Sequence, residues 1–407
     1  MSAGGSPTPT KLHLYGITQD GKLWHAIQTI PQDGSADSWS PWEEVKGKGQ
    51  SEPGPFVSVD GVSTWMNTNA GGEGGQEELH VLGVTRHGEL WHTSRLEGQD
   101  WRPFENLSRN IGGNWGTFQQ VGVTEIENTL DACVIVKTKQ GEQRILHTSR
   151  KSNKTVWEKF EDITRPQLAG FPGSFISVDC ANLWVEVIPV LHVCGVTTDG
   201  KLWHTIRFQD PTWLPFVNVQ LLSASGPQHP FANVSLAQGF DTLDVCALAN
   251  GDLWHTSRFS SDPPHWQAAF DNVSEEAAGK PGPFVSTGCG YVGNPGSGKL
   301  HACGLTQDGK LWHTSLISSN PLQWQPFEDI TAKIGSPGHL IVVCIANSTP
   351  PPAFGGGDPT CARIQMAISN DRYQIQILQR QGASNAISAL QRDIANLQNQ
   401  ARQHHCP

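Results

Sequence analysis

The chain has 407 residues, a formal net charge of -10, only 16 % charged residues and no basic run, which argues against nucleic acid or an anionic membrane surface as its partner. It contains 43 glycines, 27 prolines and 15 tryptophans, a composition that suits a turn-dense all-β body packed with aromatic rings. No window of about 18 uninterrupted apolar residues occurs, so no membrane span is expected.

Residues 1–10, opening Met1-Ser2-Ala3-Gly4-Gly5-Ser6-Pro7, show neither a charged nor an apolar leader region. They are expected to be disordered, and the protein to stay in the cytoplasm or to be exported without a classical signal peptide. A first strand then runs from Leu12 to Thr18, Asp20-Gly21 turns the chain, and Leu23-Trp24-His25 opens a second strand. The same phrase returns as Leu90-Trp91-His92, Leu202-Trp203-His204, Leu253-Trp254-His255 and Leu311-Trp312-His313, with a decayed copy at Leu146-His147. Its period of about 50 to 70 residues is the length of a four-stranded propeller blade rather than of a helical repeat. An aspartate-glycine or asparagine-glycine pair between two alternating runs marks a hairpin, because these residues accept positive φ cheaply.

Each hairpin is followed by an aromatic strand, as in Trp101-x-x-Phe104, Trp157-x-x-Phe160, Trp213-x-x-Phe216 and Trp324-x-x-Phe327. A Gly/Pro-rich turn next opens a fourth strand, as in Pro55-Phe56-Val57-Ser58-Val59 and Phe175-Ile176-Ser177-Val178. With strands lettered a to d from the axis outward, the chain order is b, c, d, a. The sequence therefore predicts a six-bladed β-propeller over residues 11–347, closed by a final strand at 340–346 that returns beside Leu12 and Leu14. Closure would hide strand edges that otherwise invite aggregation.

Residues 348–360 read as a Pro/Gly linker, and residues 361–407 as a helical tail. Ile364, Ile368, Ile375 and Leu378, then Ile387, Leu390, Ile394, Leu397 and Ala401, recur mostly at helical steps around Gly382. A helical hairpin or a coiled coil fits, and a homo-oligomer through these helices is one use of such a stripe.

The repeated polar and aromatic residues are the candidates for chemistry. Cys133, Cys194, Cys246 and Cys303 share one strand register with Tyr15 and Leu82, which reads as an apolar packing site and a reducing origin. A two-residue turn at Asp20-Gly21 would set His25 opposite Gly16, and the same pairing sets Arg95 against His80, Arg150 against Asp131, Arg207 against His192 and Arg258 against Asp244. The histidines then read as structural, one per blade with no second metal ligand nearby. Trp24, Trp91, Trp203, Trp254 and Trp312, with Arg95, Arg207 and Arg258, are the candidate ligand-binding set. A flat indole with a polar N–H beside a charged group is suited to stacking on a pyranose while fixing its hydroxyls. In a propeller a residue repeated in every blade is also a packing residue, and both readings stand. Unrepeated acids such as Glu127, Glu186 and Glu275 have no partner at a catalytic spacing, so no enzyme and no cofactor are expected.

The unit Trp-x-x-Phe-Glu, Gly-Pro-Phe-x-x-Val, Leu-x-Val-x-Gly-Val-Thr-x-Asp-Gly-x-Leu-Trp-His-Thr-x-Arg, which covers residues 11–346, resembles the repeat of bacterial PLL-type β-propeller lectins and, more loosely, of tectonins. The resemblance implies a multivalent binder of fucosylated or related glycans, with sites between adjacent blades. Those lectins are typically seven-bladed, and the helical tail is foreign to their pattern. A protein-interaction scaffold that docks or oligomerises through the tail is the alternative.

Overall fold

The computed structural model describes residues 10–31, 36–48, 53–67, 75–126, 129–151, 156–185, 188–208, 211–223, 225–239, 242–260, 265–293, 298–319, 322–346 and 384–403, together with Ile364, Ile368 and Ile375. The N-terminal stretch to Pro9, the linker 348–360, most of the first half of the tail, Glu127 and Glu186 lie outside the described residues.

Six antiparallel sheets form six blades. The b and c strands of blades 1 to 6 are Thr10–Thr18 and Leu23–Ile30, Gly75–Thr85 and Leu90–Leu96, Thr129–Lys137 and Gln143–Lys151, Ile188–Thr197 and Leu202–Arg207, Thr242–Ala249 and Asp252–Phe259, and Lys299–Thr306 and Leu311–Ser319. The d strands are short, as at Glu105–Asn106 and Glu161–Asp162. The a strands of blades 2 to 6 begin at Phe56, Thr117, Phe175, Phe231 and Phe284. That of blade 1 is Leu340–Ala346, which pairs antiparallel with the first strand and sets Leu14 opposite Ile345 and Tyr15 opposite Cys344. The ring thus closes through its last strand.

The a strands surround an axial cavity of about 320 Å³, and inner-edge N–H groups of several of them are satisfied by side chains of a neighbouring blade. Val121 and Val123 donate their N–H groups to Ser58 Oγ (3.2 Å) and Asp60 Oδ2 (2.7 Å). Val234 and Leu236 donate in the same way to Ser177 Oγ (3.1 Å) and Asp179 Oδ2 (2.7 Å). Side-chain oxygens replace the next ladder, so these buried donors are not orphaned. Burial pushes the Asp179 carboxyl up to about 7 and raises Asp60 as well.

The b–c hairpins depart from the expected register by one residue. In blade 1, Thr18 N–H donates to the Lys22 carbonyl (3.0 Å) and Gly21 N–H to the Thr18 carbonyl (2.7 Å), with Gly21 at φ 83°. This is a three-residue loop closed by a left-handed glycine, not a two-residue turn. A slip of one residue exchanges the faces of a strand. Trp24 therefore stands opposite Gly16 and His25 opposite Tyr15. Likewise His92 faces Leu82, His204 faces Cys194, His255 faces Cys246 and His313 faces Cys303. The strand glycines serve another ring: a Cβ on Gly83 would meet Phe56 at 2.6 Å, and one on Gly304 would meet Phe284 at 2.5 Å. They make room for the first aromatic of the a strand. In blade 3 both hairpin strands are longer by two residues, one full pleat, so Leu146 keeps the tryptophan position opposite Val134.

The same correction applies to the arginines. Arg95 pairs with Leu79, Arg150 with Leu130, Arg207 with Leu191 and Arg258 with Leu243. The cross-strand bridges Asp131 with Arg150 and Asp244 with Arg258 are not formed.

The seven described cysteines are free and buried. The tail contributes one described helix, Ser384–Gln403, along which Ile387, Leu390, Ile394, Leu397 and Ala401 are half-buried. No helix among the described residues is long and apolar enough to cross a membrane.

Ending the chain after residue 338 removes the closing strand and exposes the inner edges of blades 1 and 6, whereas ending it after residue 347 keeps the ring. The shorter protein is expected to aggregate or to lose its cooperative melting transition while the longer one melts as the full chain does. Equal melting temperatures in differential scanning calorimetry would contradict closure.

Candidate inter-blade binding site

The blades meet along grooves in which buried polar groups of one blade face an indole of the next. From each blade come two residues of a column, one on strand b and one on strand c: His13 with His25, His80 with His92, Asp131 with His147, His192 with His204, Asp244 with His255, and His301 with His313. Their contacts span 2.6 to 3.1 Å. Alternation places them on one strand face, and all are nearly inaccessible. From the following blade comes the d-strand tryptophan, set edge-on to the c-strand imidazole. Ring centroids lie 5.9 Å apart for His25 and Trp101, 5.5 Å for His92 and Trp157, 5.5 Å for His147 and Trp213, 5.2 Å for His204 and Trp266, 5.4 Å for His255 and Trp324, and 5.6 Å for His313 and Trp39.

Three grooves add a guanidinium over the indole. Arg95 lies 4.5 Å from the Trp101 ring, Arg150 5.4 Å from Trp157, and Arg207 6.0 Å from Trp213, within cation–π reach. A d-strand carboxylate completes each. Glu43 is 2.7 Å from His25 Nδ1 and also accepts from Arg95. Glu105 lies 3.7 Å from His92 Nδ1. Glu161 accepts the Trp213 Nε1–H at 3.0 Å. His25 Nδ1 thus faces both the Glu43 carboxylate and, at 3.2 Å, an Arg95 guanidinium nitrogen, while its Nε2 lies 3.0 Å from His13 Nδ1. Burial drives His25 down to about 4, against the pull of Glu43, so the imidazole is neutral at neutral pH. Burial raises Glu43, but the His25 hydrogen bond and the Arg95 charge overcome it and hold the carboxylate ionised.

The remaining grooves differ. Between blades 4 and 5, Arg258 is present and buried, but Val217 stands in the carboxylate's register opposite His204. Between blades 5 and 6, Leu316 pairs with Trp324 where an arginine would stand. Here the imidazole is charged: burial opposes it, yet Asp244 (3.0 Å) and Asp271 (3.5 Å) raise His255 to about 9. Between blades 6 and 1 the register holds Gln28, paired with Trp39.

The structure thus places Arg95, Arg207 and Arg258, and also Arg150, in the grooves, and separates the first two from the tryptophans of the Leu-Trp-His phrase. Trp91 lies on the face that carries Arg95 but four residues away, about 13 Å along a strand. Trp24, Trp91, Trp203, Trp254 and Trp312 are half-buried beside the hairpin turns. Trp24 and Trp203 donate to Thr18 Oγ1 (3.2 Å) and Thr197 Oγ1 (3.1 Å) of their own hairpins. The groove indoles are instead those of the Trp-x-x-Phe strand. In the sequence that tryptophan marks the aromatic strand, and the acid after its phenylalanine appears only as part of the repeat phrase Trp-x-x-Phe-Glu. The repeat of both beside an invariant histidine was the available signal. Among the described residues no cluster of three or more histidine, cysteine or acidic side chains is placed to hold a metal ion.

Neither a protein-family profile nor a curated protein sequence matches the chain. Solved structures do. A variant of the lectin from Aleuria aurantia, in complex with Fucα1-6GlcNAc, aligns at 10 % identity over 80 % of this chain and 97 % of its own, with a TM-score of 0.50. The protein AofleA from Arthrobotrys oligospora aligns at 13 % identity over 86 % of this chain and 96 % of its own, with a TM-score of 0.48. At these identities the likeness is one of fold, a six-bladed propeller.

The charged state of His255 gives a pH signature. Its folded pKa lies above the ordinary imidazole value of about 6.5, so the stability it contributes is present below that pH and is lost as pH rises through about 9. In proton-detected NMR, His255 should titrate near 9 and His25 and His313 near 4. Asp244→Asn should abolish the alkaline transition at a cost of about 3–5 kcal/mol for breaking a buried pair. A His255 resonance titrating near 6.5 would overturn the assignment.

Proposed function

We propose that the protein is a multivalent carbohydrate-binding lectin that takes fucose-type or related glycans in the grooves between its blades. The observation that carries this reading is the convergence of guanidinium, carboxylate and indole at Arg95, Glu43 and Trp101, repeated at Arg150, Glu105 and Trp157 and at Arg207, Glu161 and Trp213. A sugar presents adjacent hydroxyls, each both donor and acceptor, on a ring with an apolar face. Carboxylates accept from hydroxyls and guanidinium N–H groups donate to them, while the buried indole holds the guanidinium in place across its face. The same equipment repeated around a ring favours many modest sites over one reactive centre, so the reading is binding without catalysis. Fucose is the first sugar to test, since a fucosyl disaccharide occupies the aligned propeller lectin named above.

Titration calorimetry with methyl α-L-fucoside is expected to show several equivalents. Arg95→Ala should remove about one of them and leave the others unchanged, because sites a whole blade apart act independently. The substitution should cost about 1–3 kcal/mol of stability, since Arg95 is only 13 % exposed and its hydrogen bond to the Glu43 carboxylate is lost. An unchanged count in folded Arg95→Ala protein would remove the grooves as the sugar sites.

The scaffold reading rests on a different feature, the stripe Ile387, Leu390, Ile394, Leu397 and Ala401, whose three- and four-residue steps suit a helical seam. If it joins copies of the chain, sedimentation gives a multiple of 44.3 kDa and Leu390→Asp returns a monomer. A monomeric full chain would exclude that seam.

A further inference from the structure

The groove between blades 6 and 1 is built differently from the other five. It opens into a cavity of about 530 Å³ lined by Gln28, Asp37, His301, His313, Glu328 and Lys333 among others. That volume falls inside the range of about 300–1,000 Å³ typical of small-molecule sites. Its width has a local cause: where blades 2, 3 and 4 lay an arginine over the indole, blade 1 carries the shorter Gln28.

Gln28 is only 3 % exposed. Its Nε2 donates to Asp37 Oδ2 at 3.1 Å, while its buried Oε1 has no partner. A buried acceptor left unmade is costly, and the residue that carries this one lines the cavity. The other polar groups here include both signs of charge: Asp37 and Glu328 bring carboxylates, and Lys299 and Lys333 bring ammonium groups, the latter in an ion pair with Glu328. His301 and His313 are joined at 2.9 Å, and burial, with the Lys333 charge adding to it, holds His313 neutral down to about 4. No guanidinium reaches the cavity. The two carboxylates and two ammonium groups balance, so a ligand complementary to these walls is uncharged and rich in hydroxyls, which both donate and accept.

We propose that the groove between blades 6 and 1 is a second class of saccharide site, which binds a neutral oligosaccharide of two or more residues with one hydroxyl donated to Gln28 Oε1. This rests on the reading of the grooves as sugar sites and adds that one of them has a different ligand. In the arginine-capped grooves the guanidinium fills the space beside the indole. The open groove has space for a second residue along the wall formed by Val292, Gln325 and Pro326.

The test is calorimetric titration of the full chain with methyl α-L-fucoside, with the disaccharide Fucα1-6GlcNAc and with 3′-sialyllactose. It compares the parent protein with Gln28→Arg and Gln28→Leu. Arginine stands at this register in blades 2 to 5 and leucine in blade 6, so both variants fit the fold. Gln28→Leu should melt at the same or a higher temperature because the orphaned acceptor is gone. Both variants should lose about one equivalent, or at least tenfold in affinity at one site, for the disaccharide, with the monosaccharide count unchanged. An unchanged disaccharide isotherm overturns the second class while leaving the lectin reading intact. Equal loss of monosaccharide makes this an ordinary groove and also overturns it. Binding of 3′-sialyllactose that either variant abolishes overturns the neutral ligand. Failure of the parent protein to bind the disaccharide while it still binds the monosaccharide overturns this inference alone, and failure to bind either overturns both readings.

Discussion

Everything in this ring depends on how one blade meets the next. A blade buries an imidazole at its edge, and the following blade covers it with the edge of an indole, six times around the axis. The contact is aromatic and apolar in area, but its centre is polar, so each histidine needs a hydrogen-bond partner inside the interface. The strand b residue at the same level supplies it, as histidine in four blades and as aspartate in two. Burial lowers both imidazoles of the pairs His80 with His92, His192 with His204 and His301 with His313, whereas Asp244 together with Asp271 raises His255 to about 9.

The proposed sugar binding draws on the leftover valence of the same interface. Once the imidazole pair is satisfied inward, the outer nitrogen, the d-strand carboxylate and the arginine of the next blade remain at the rim of the groove. They are anchored by buried neighbours, so they are pre-positioned. The packing residues and the proposed binding residues thus sit in one groove at different depths, with Glu43 half-exposed and His25 beneath it sealed.

Much of this was legible in the chain. The blade count, the b, c, d, a order and the closing role of 340–346 follow from the repeat and from turn chemistry, because a hairpin signal is local. The pairing register was not, because it depends on whether the loop after Thr18 holds two residues or three, a difference made by hydrogen bonds of the Thr18 and Gly21 amides that composition does not reveal. One residue exchanged the faces, assigned the glycines to histidine rather than to phenylalanine, and paired arginines with aspartates they do not touch. The arginines were found because they recur. Their indole partners were missed because Trp101 and Arg95 sit on different strands, and nearness there comes from the fold.

The central claim is that sugars sit between blades, on guanidinium, carboxylate and indole. A crystal structure of the protein grown with saturating methyl α-L-fucoside tests it most directly. The account predicts a sugar ring between blades 1 and 2 with hydroxyls on Arg95 and Glu43, and further rings in the grooves of Arg150 and Arg207. Sugar seated on Trp24, Trp91 or Trp203 beside the hairpin turns, or empty grooves at saturation, would contradict it.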